Sequence, residues 1–399
     1  MESDDNGVKK NEQQVAYLNF AGHGLVHLFE GVIPPLIPLL MVQFGASYFQ
    51  MGLVVTVFTY MFGFGSLPAG WLADTIGSRK LITIYLFAAG SLSVAVLAVT
   101  GYLGYMVMMA FVGLAASIYH PAGSTMISRE IDERGRAFGI YGMGGSLGIA
   151  SAPVLAAFLG SEFGWRVPHV VFGLAGLAVG MWSLSVQRRP VVPRQASPEQ
   201  ENQERLSSKL GMLFLLYISF ALLGMAYKGL TTFLPVYMSQ SAFAHQTSFN
   251  PVTLGGAIAT IALLFGLLGQ YVGGVVADRI FPEYFYAGTT LVAGIFAFSM
   301  AFTSGILLVF VAVIQAFFAF TSQPVQNLLV SRHLSRKRQG IGYGLKFFML
   351  FGVGSIAAAF AGYLADHYGL FAVFIAMGFL YVVSSIVGLV MGIRTRQIS

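Results

Sequence analysis

The chain has 399 residues, of which 56% are hydrophobic and only 10% carry a charge. A soluble domain carries about 25% charged residues, so the composition excludes a water-soluble globular protein and predicts an integral membrane protein. The absence of cysteine excludes disulfides and thiolate metal sites.

Twelve apolar stretches of roughly 20 or more residues are long enough to cross about 30 Å of hydrocarbon as helices that rise about 1.5 Å per residue. We number them spans 1 to 12, and they cover residues 15–43, 48–72, 80–100, 103–128, 136–160, 167–187, 210–239, 251–277, 284–304, 306–330, 340–366 and 370–393. The polar opening residues lack the basic region of a cleavable signal peptide, so we expect span 1 to be retained.

Similar residues recur in the same order in the two halves of the chain. His120-Pro121 of span 4 has a counterpart in Gln323-Pro324 of span 10, and Gly135 to Gly139 has one in Gly340 to Gly344. A polar stretch with three prolines separates the halves and is typical of a flexible linker. This repeat predicts an all-α integral membrane fold of twelve transmembrane helices in two six-helix bundles. The predicted units are an N-terminal tail at 1–14, a first bundle at 15–187, a linker at 188–209, a second bundle at 210–393 and a C-terminal tail at 394–399.

The basic residues indicate how the chain is oriented in the membrane. With the N-terminus in the cytoplasm, every lysine and arginine lies in a cytoplasmic segment except Arg166, Lys228 and Lys346. This asymmetry is the positive-inside rule. It predicts an inner (plasma) membrane protein with both termini in the cytoplasm, and it accounts for the net charge of +6 without a nucleic-acid partner.

Three ionisable side chains of span 1 are candidates for proton coupling. His23, His27 and Glu30 have the spacing i, i+4, i+7, which places them on one face of a helix. Ionisable groups within spans are costly and normally face a cavity or one another, and histidine titrates near neutral pH. We therefore predict that these three residues carry protons; the alternative is that they are packing groups.

Two lysines within the spans are candidates for substrate binding. Lys228 precedes Pro235 by the same number of residues as Leu28 precedes Pro35, so we expect Lys228 at the depth of Glu30, with which it could pair. That pair could instead be a static bridge between the halves, and Lys346 could extend to the cytoplasmic surface. The remaining predicted substrate-binding residues are Tyr119, His120, Gln323 and Asn327. The excess of cationic groups favours an organic anion over a cation.

A short charged turn joins spans 2 and 3, with the sequence Gly70-Trp71-Leu72-Ala73-Asp74-Thr75-Ile76-Gly77-Ser78-Arg79-Lys80, and a degenerate copy at 274–279 joins spans 8 and 9. The turn resembles the loop pattern of the major facilitator superfamily of transporters, although Thr75 and Ser78 replace basic residues. The resemblance implies helices arranged around a central cavity, alternating access, and a conformational latch in this loop; a solvated turn that only fixes the topology is the alternative. The predicted latch residues are Gly70, Asp74, Gly77, Arg79, Arg129 and Asp278.

Span 5 resembles the antiporter signature of the same superfamily. It retains Gly139, Gly148 and Pro153 and has alanine at three other glycine positions, which implies export by antiport; an ordinary kinked packing helix is the alternative. Gly144 to Gly148 also matches the G-x-S-x-G nucleophile pattern, but it lies inside a span of small residues. We therefore predict no catalytic residue and no enzyme.

One segment of span 4, Gly113 to Ser124, resembles the fosmidomycin-resistance efflux proteins, as does the following Arg134 to Gly139. We predict a proton-coupled antiporter that exports a small organic anion or an amphiphilic drug. The open alternatives are an importer or exchanger of a carboxylate or phosphate ester, and a lipid or lysolipid exporter. The predicted partners are the substrate, protons and the lipid bilayer, and we predict a monomer without a cofactor or metal ion.

Overall fold

The computed structural model describes residues 2–131, 134–186, 206–241, 250–277, 279–333 and 344–398, and these residues are almost entirely helical. The helices follow the predicted spans, and we number them α1 to α12 in the same order. Their bounds are Glu2–Gly31 and Ile33–Phe44 for the two segments of α1, Tyr48–Leu72 for α2, Ser78–Val94 for α3, Tyr102–Ala116 and Tyr119–Glu130 for the two segments of α4, Arg134–Phe163 for α5, Val167–Ser185 for α6, Leu206–Ser241 for α7, Pro251–Ala277 for α8, Pro282–Met300 for α9, Gly305–His333 for α10, Gly344–Tyr368 for α11 and Leu370–Ile398 for α12.

Within these ranges, eleven helices are long and apolar enough to cross a membrane. The remaining one, α9, has 19 residues and begins with a polar turn that contains the buried Glu283. It packs against α10 and α12, and a helix held between others needs less apolar surface than one that faces lipid. The fold class predicted from the sequence is confirmed, whereas most of the predicted linker lies outside the described residues.

Prolines interrupt two helices next to ionisable residues. Pro34 has no N–H to donate to the carbonyl of Glu30, and its ring excludes a regular turn, so α1 breaks at Val32. Pro121 disturbs α4 in the same way, and this helix breaks directly before the segment that carries His120. These side chains therefore lie where the helical hydrogen-bond ladder is already disturbed.

Small residues let the helices of each half pack closely. In the first half α5 lies against α1, where a side chain at Gly144 or Gly148 would overlap the backbone of Phe20 or Gly24. Comparable contacts join α2 with α4 and α3 with α6 in the first half, and α7 with α12 and α8 with α10 in the second. Close backbone approach is a main source of helix association in a bilayer.

The two halves meet most extensively along two helix pairs, α2 with α11 and α5 with α8, and α1 also contacts α7 and α8. We call the side of the bundle on which α1 begins and α12 ends the terminal side, and the side of the turn between α1 and α2 the distal side. Helices α2 and α8 begin on the distal side, and α5 and α11 end there. The positive-inside rule predicts that the terminal side faces the cytoplasm.

Candidate functional site

A carboxylate at the centre of the molecule joins the two halves. One oxygen of Glu30 in α1 accepts a hydrogen bond from the ammonium of Lys228 in α7 at 2.5 Å, and the other lies 2.9 Å from Nδ1 of His27. Both His27 and Lys228 are buried, and Glu30 is nearly so. The sequence spacing predicted the common face of the α1 residues and the depth of Lys228, and the structure brings these groups into contact.

A second histidine extends this chain away from Lys228. Nε2 of His27 lies 3.2 Å from Nε2 of His23, and Nδ1 of His23 lies 2.7 Å from the carbonyl oxygen of Tyr141. Each Nδ1 faces an oxygen that can only accept, the carboxylate for His27 and the carbonyl for His23, so each Nδ1 must carry its proton. A hydrogen bond between the two Nε2 atoms then requires one further proton, shared by the pair. The geometry therefore fits a His23–His27 pair that shares one additional proton beside the Glu30 carboxylate.

A third imidazole lies beside this pair. Nδ1 of His120 is 3.1 Å from the hydroxyl of Tyr141, its Nε2 has no hydrogen-bond partner among the described residues, and its ring stacks on Phe347 of the second half. One ligand nitrogen from each of the three histidines lies within 4.8 Å of the others, a donor type that zinc also accepts. The three histidines thus form one buried cluster, and its role in proton coupling stays a prediction.

Lys346 lies inside the bundle and does not extend to the surface. The residue is 5% exposed, its ammonium donates to the side-chain oxygen of Asn327 at 2.5 Å, and it lies 5.6 Å from the ring centre of Phe220. Cation–π contact and one amide oxygen replace only part of the hydration of an ammonium group. Lys346 is therefore a second buried cation that an anionic ligand could stabilise.

Two other predicted substrate-binding residues have partners elsewhere. The hydroxyl of Tyr119 donates to the backbone oxygen of Asn19, and its ring packs at 5.6 Å from that of His23. The side-chain oxygen of Gln323 accepts from Gln270 of α8. Tyr119 thus packs against the histidine cluster, whereas Gln323 connects α10 to α8.

The sequence reasoning missed Tyr141, which contacts two of the three histidines. Its backbone oxygen fixes the orientation of His23, and its hydroxyl lies at His120. The available signal was a tyrosine in a glycine-rich helix, where glycines such as Gly144 and Gly145 let α5 approach α1.

A small cavity of about 60 Å³ lies on the distal side of the Glu30–Lys228 pair. Its lining includes both charged residues, together with Pro34, Pro153 and Thr231. This volume is well below the roughly 300–1,000 Å³ of a typical pocket for an organic ligand. An organic substrate therefore requires the halves to move apart at this level.

The predicted latch is described only in part. Arg79 donates to the carboxylate of Glu130 at 2.9 and 2.6 Å and to the backbone oxygen of Val186 at 2.6 Å, all within the first half. Arg129 is exposed, and a side chain at Gly70 would meet no atom of the described residues within 4 Å. Gly77 has a positive φ of 90°, which a side chain would strain. The side chain of Asp74 and all of Asp278 lie outside the described part of the chain, so the latch stays a prediction.

The residues of the antiporter signature differ in their surroundings. Gly148 lies against the backbone of Gly24, whereas a side chain at Gly139 would have open space. Pro153 lines the central cavity, and its carbonyl oxygen lies against Gly256 of α8. The signature helix is therefore part of the interface between the halves.

The comparison with known families agrees with this architecture. The family model of the Major Facilitator Superfamily matches residues 20–359 and 241–397, nearly the whole chain. The chain belongs to the major facilitator superfamily. It is therefore a multi-pass membrane transporter, and the resemblance seen in the loop after span 2 is confirmed.

Relatives within the superfamily include transporters of organic compounds. The chain is 25% identical to the fosmidomycin resistance protein of Escherichia coli (strain K12) over 361 residues, which cover 86% of this chain and 84% of that protein. It is 24% identical to the probable L-galactonate transporter of the same organism over 350 residues, with coverages of 81% and 76%. A solved bacterial homologue of the human lysosomal transporter Spinster, in an inward-facing and unoccupied conformation, has a TM-score of 0.78 at 15% identity, with coverages of 96% and 97%, and shares the fold.

Proposed function

We propose that this protein is a secondary transporter of the plasma membrane that carries small organic anions together with protons by alternating access. The observation that carries the proposal is the buried chain of Lys228, Glu30, His27 and His23, which crosses from one half to the other. Buried ionisable groups in a membrane are costly and mark substrate or proton pathways. The similarity to a probable L-galactonate transporter supports an organic anion as the substrate.

In this proposal, proton binding and anion binding support each other. An anion that binds Lys228 must displace the carboxylate of Glu30, and a carboxylate left without a cation in an apolar site is costly. Nδ1 of His27 already points at that carboxylate. His27 can pass its Nδ1 proton to Glu30 while it retains the proton shared with His23 on Nε2. The carboxylate and both imidazoles are then neutral, and Lys228 is free to bind the anion.

A second candidate is the export of an amphiphilic drug in exchange for protons. Pro153 of the antiporter signature lines the central cavity, and the chain is similar to a fosmidomycin resistance protein. Exchange requires that the protein does not bind the proton and the drug at the same time. This requirement is met if the drug binds only after the proton shared by His23 and His27 has been released.

Flux into proteoliposomes under an imposed pH gradient separates the two candidates, with L-galactonate and fosmidomycin as probes. Cotransport predicts that an acidic exterior drives uptake against a concentration gradient. Exchange predicts that the same gradient drives efflux from loaded vesicles. A leak of either probe that is indifferent to the pH gradient contradicts both.

Glu30→Gln tests the coupling residue. An amide cannot balance Lys228 or take the proton of His27, so we expect proton-driven transport to be lost while counterflow of the substrate continues. The matched control is Glu162→Gln, which makes the same change at an exposed residue on the distal side and leaves transport unchanged. Full proton-driven transport in the Glu30→Gln protein would show that the assignment is wrong.

A further inference from the structure

Two threonines cross the interface between the halves at corresponding positions. Thr56 of α2 contacts the backbone of α11, and Thr260 of α8 contacts the backbone of α5. The two threonines lie 204 positions apart in the chain. Their N–H partners, Val154 and Ala359, lie 205 positions apart, so the two contacts follow the internal repeat.

The hydroxyl of Thr56 is inserted into the hydrogen-bond ladder of α11. It accepts from the backbone N–H of Ala359 at 3.1 Å and donates to the backbone oxygen of Ser355 at 2.7 Å. In a regular helix these two backbone groups would bond to each other. A side chain of the first half thus replaces a backbone hydrogen bond of the second.

Thr260 makes the corresponding contact on the other side of the molecule. Its hydroxyl accepts from the backbone N–H of Val154 at 3.2 Å, directly after Pro153. The disturbed ladder at this proline makes the N–H available, as the π-helical turn Phe348–Val353 does before Ala359. Each half therefore contributes one threonine to the closed interface.

These contacts lie beside the central cavity. Val55, Pro153 and Ala259, each next to one of the bonded residues in the chain, line that cavity. Thr56 lies eight residues from the distal start of α2, roughly 12 Å along the helix. The described hydrogen bonds of Thr56 and Thr260 include no residue of the Lys228–Glu30–His27–His23 chain.

A second layer of contacts between the halves lies nearer the distal surface, and its residues follow the same internal repeat. The carboxylate of Asp366 in α11 accepts from the backbone N–H groups of Tyr48 and Phe49 at 2.9 and 2.8 Å, at the start of α2. The hydroxyls of Ser161 in α5 and Thr253 in α8 lie 2.8 Å apart. Ser161 and Asp366 are 205 positions apart, so both layers are paired around the same axis.

We propose that Thr56 and Thr260 form a paired gate that closes the central site toward the distal side. When the halves separate, α5 and α11 can complete their own ladders with the N–H groups that the threonines now hold. The N–H groups of Val154 and Ala359 then have a partner in both states, so opening leaves neither of these two buried donors unpaired. The proposal rests on the alternating access proposed above and is independent of the substrate and of the coupled ion.

Single-cysteine labelling measures how often this gate opens. The chain contains no cysteine, so Thr231→Cys places the sole thiol in the cavity lining. A membrane-impermeant maleimide is applied to sealed membrane vesicles of both orientations, and Glu162→Cys in a separate sample identifies the distal side. We expect the double change Thr56→Val and Thr260→Val to accelerate distal labelling about tenfold, and each single change roughly threefold to fivefold. Labelling from the terminal side should not accelerate.

Two controls separate the hydroxyl from packing and folding. Thr59→Val removes a buried hydroxyl one turn from Thr56 that has no hydrogen-bond partner among the described residues, and it should leave labelling unchanged. Thr56→Ser with Thr260→Ser keeps both hydroxyls and should restore slow labelling. Equal rates in the parent and the double valine variant overturn the proposal. Acceleration of the same size in Thr59→Val, or in the serine variant, also overturns it.

Discussion

At Glu30 a single carboxylate accepts hydrogen bonds from two cationic partners that belong to different halves of the molecule. Removing either partner leaves an uncompensated charge in an apolar environment, which typically costs about 3–5 kcal/mol. The residues of this hydrogen-bonded series, Lys228, Glu30, His27 and His23, therefore act as a unit. The effect of changing one of them includes the cost to its neighbours, so transport and protein stability must be measured together.

The His23 ring occupies space that a side chain at position 145 would fill, and Gly145→Ala tests the importance of this space. A methyl group at Gly145 would overlap the imidazole of His23, so the ring must move away from His27 and Tyr141. We expect proton-driven flux to fall about tenfold or more, which corresponds to the loss of one good hydrogen bond. Counterflow, which needs no net proton movement, should fall much less.

Gly142→Ala is the matched control in the same helix, because a methyl group there meets no other atom within 4 Å. Flux in this variant should stay close to that of the parent. Equal loss of proton-driven flux and counterflow in Gly145→Ala would indicate general damage to α5 rather than displacement of His23.

The sequence allowed part of this site to be predicted. Helical spacing placed His23, His27 and Glu30 on one face, and the matched prolines placed Lys228 at their depth. The helical periodicity of a sequence does not show which residue of another helix will contact a given side chain. The contact with Tyr141 and the buried position of Lys346 depend on how helices pack, so they could not be predicted from the sequence.

At the scale of single helices, α5 combines a packing face with an open face. Gly148 lies on the face that meets α1, and Pro153 lies where the helix meets α8. Gly139 belongs to the same sequence signature, but a side chain there would meet no atom of the described residues within 4 Å. A motif read as one unit in the sequence therefore contains residues with different physical roles.

This difference predicts different stabilities for two alanine substitutions. In Gly148→Ala the new methyl group overlaps the backbone of Gly24, which cannot rotate away, so α1 and α5 must separate. We expect a loss of about 1–3 kcal/mol of stability, measured as a lower thermal unfolding midpoint in detergent. Gly139→Ala should unfold at the parent temperature or slightly above, because alanine favours the helix. Equal midpoints for both variants would contradict the close contact between α1 and α5.

At the scale of the whole molecule, the internal repeat predicted the two bundles but not their relative position. Matching residues such as His120 and Gln323 reveal that the halves are related. They do not reveal which helices meet across the axis, because close contacts there are made by glycine, alanine and backbone atoms that occur in every span. The pairing of α2 with α11 and of α5 with α8 therefore had to come from the structure.

Alternating access requires the halves to separate on the distal side, and a disulfide can prevent this. The hydroxyls of Ser161 and Thr253 lie 2.8 Å apart across the α5–α8 interface, so cysteines at both positions should form a bond under oxidation. We expect oxidation to arrest substrate flux and a reductant to restore it. The control pair is Thr83 and Ser183, whose hydroxyls are also 2.8 Å apart but join α3 and α6 within the first half. Oxidising this control pair should leave flux unchanged, because each half moves as a rigid body. Continued flux in the protein cross-linked between α5 and α8 would exclude separation of the halves as the transport step.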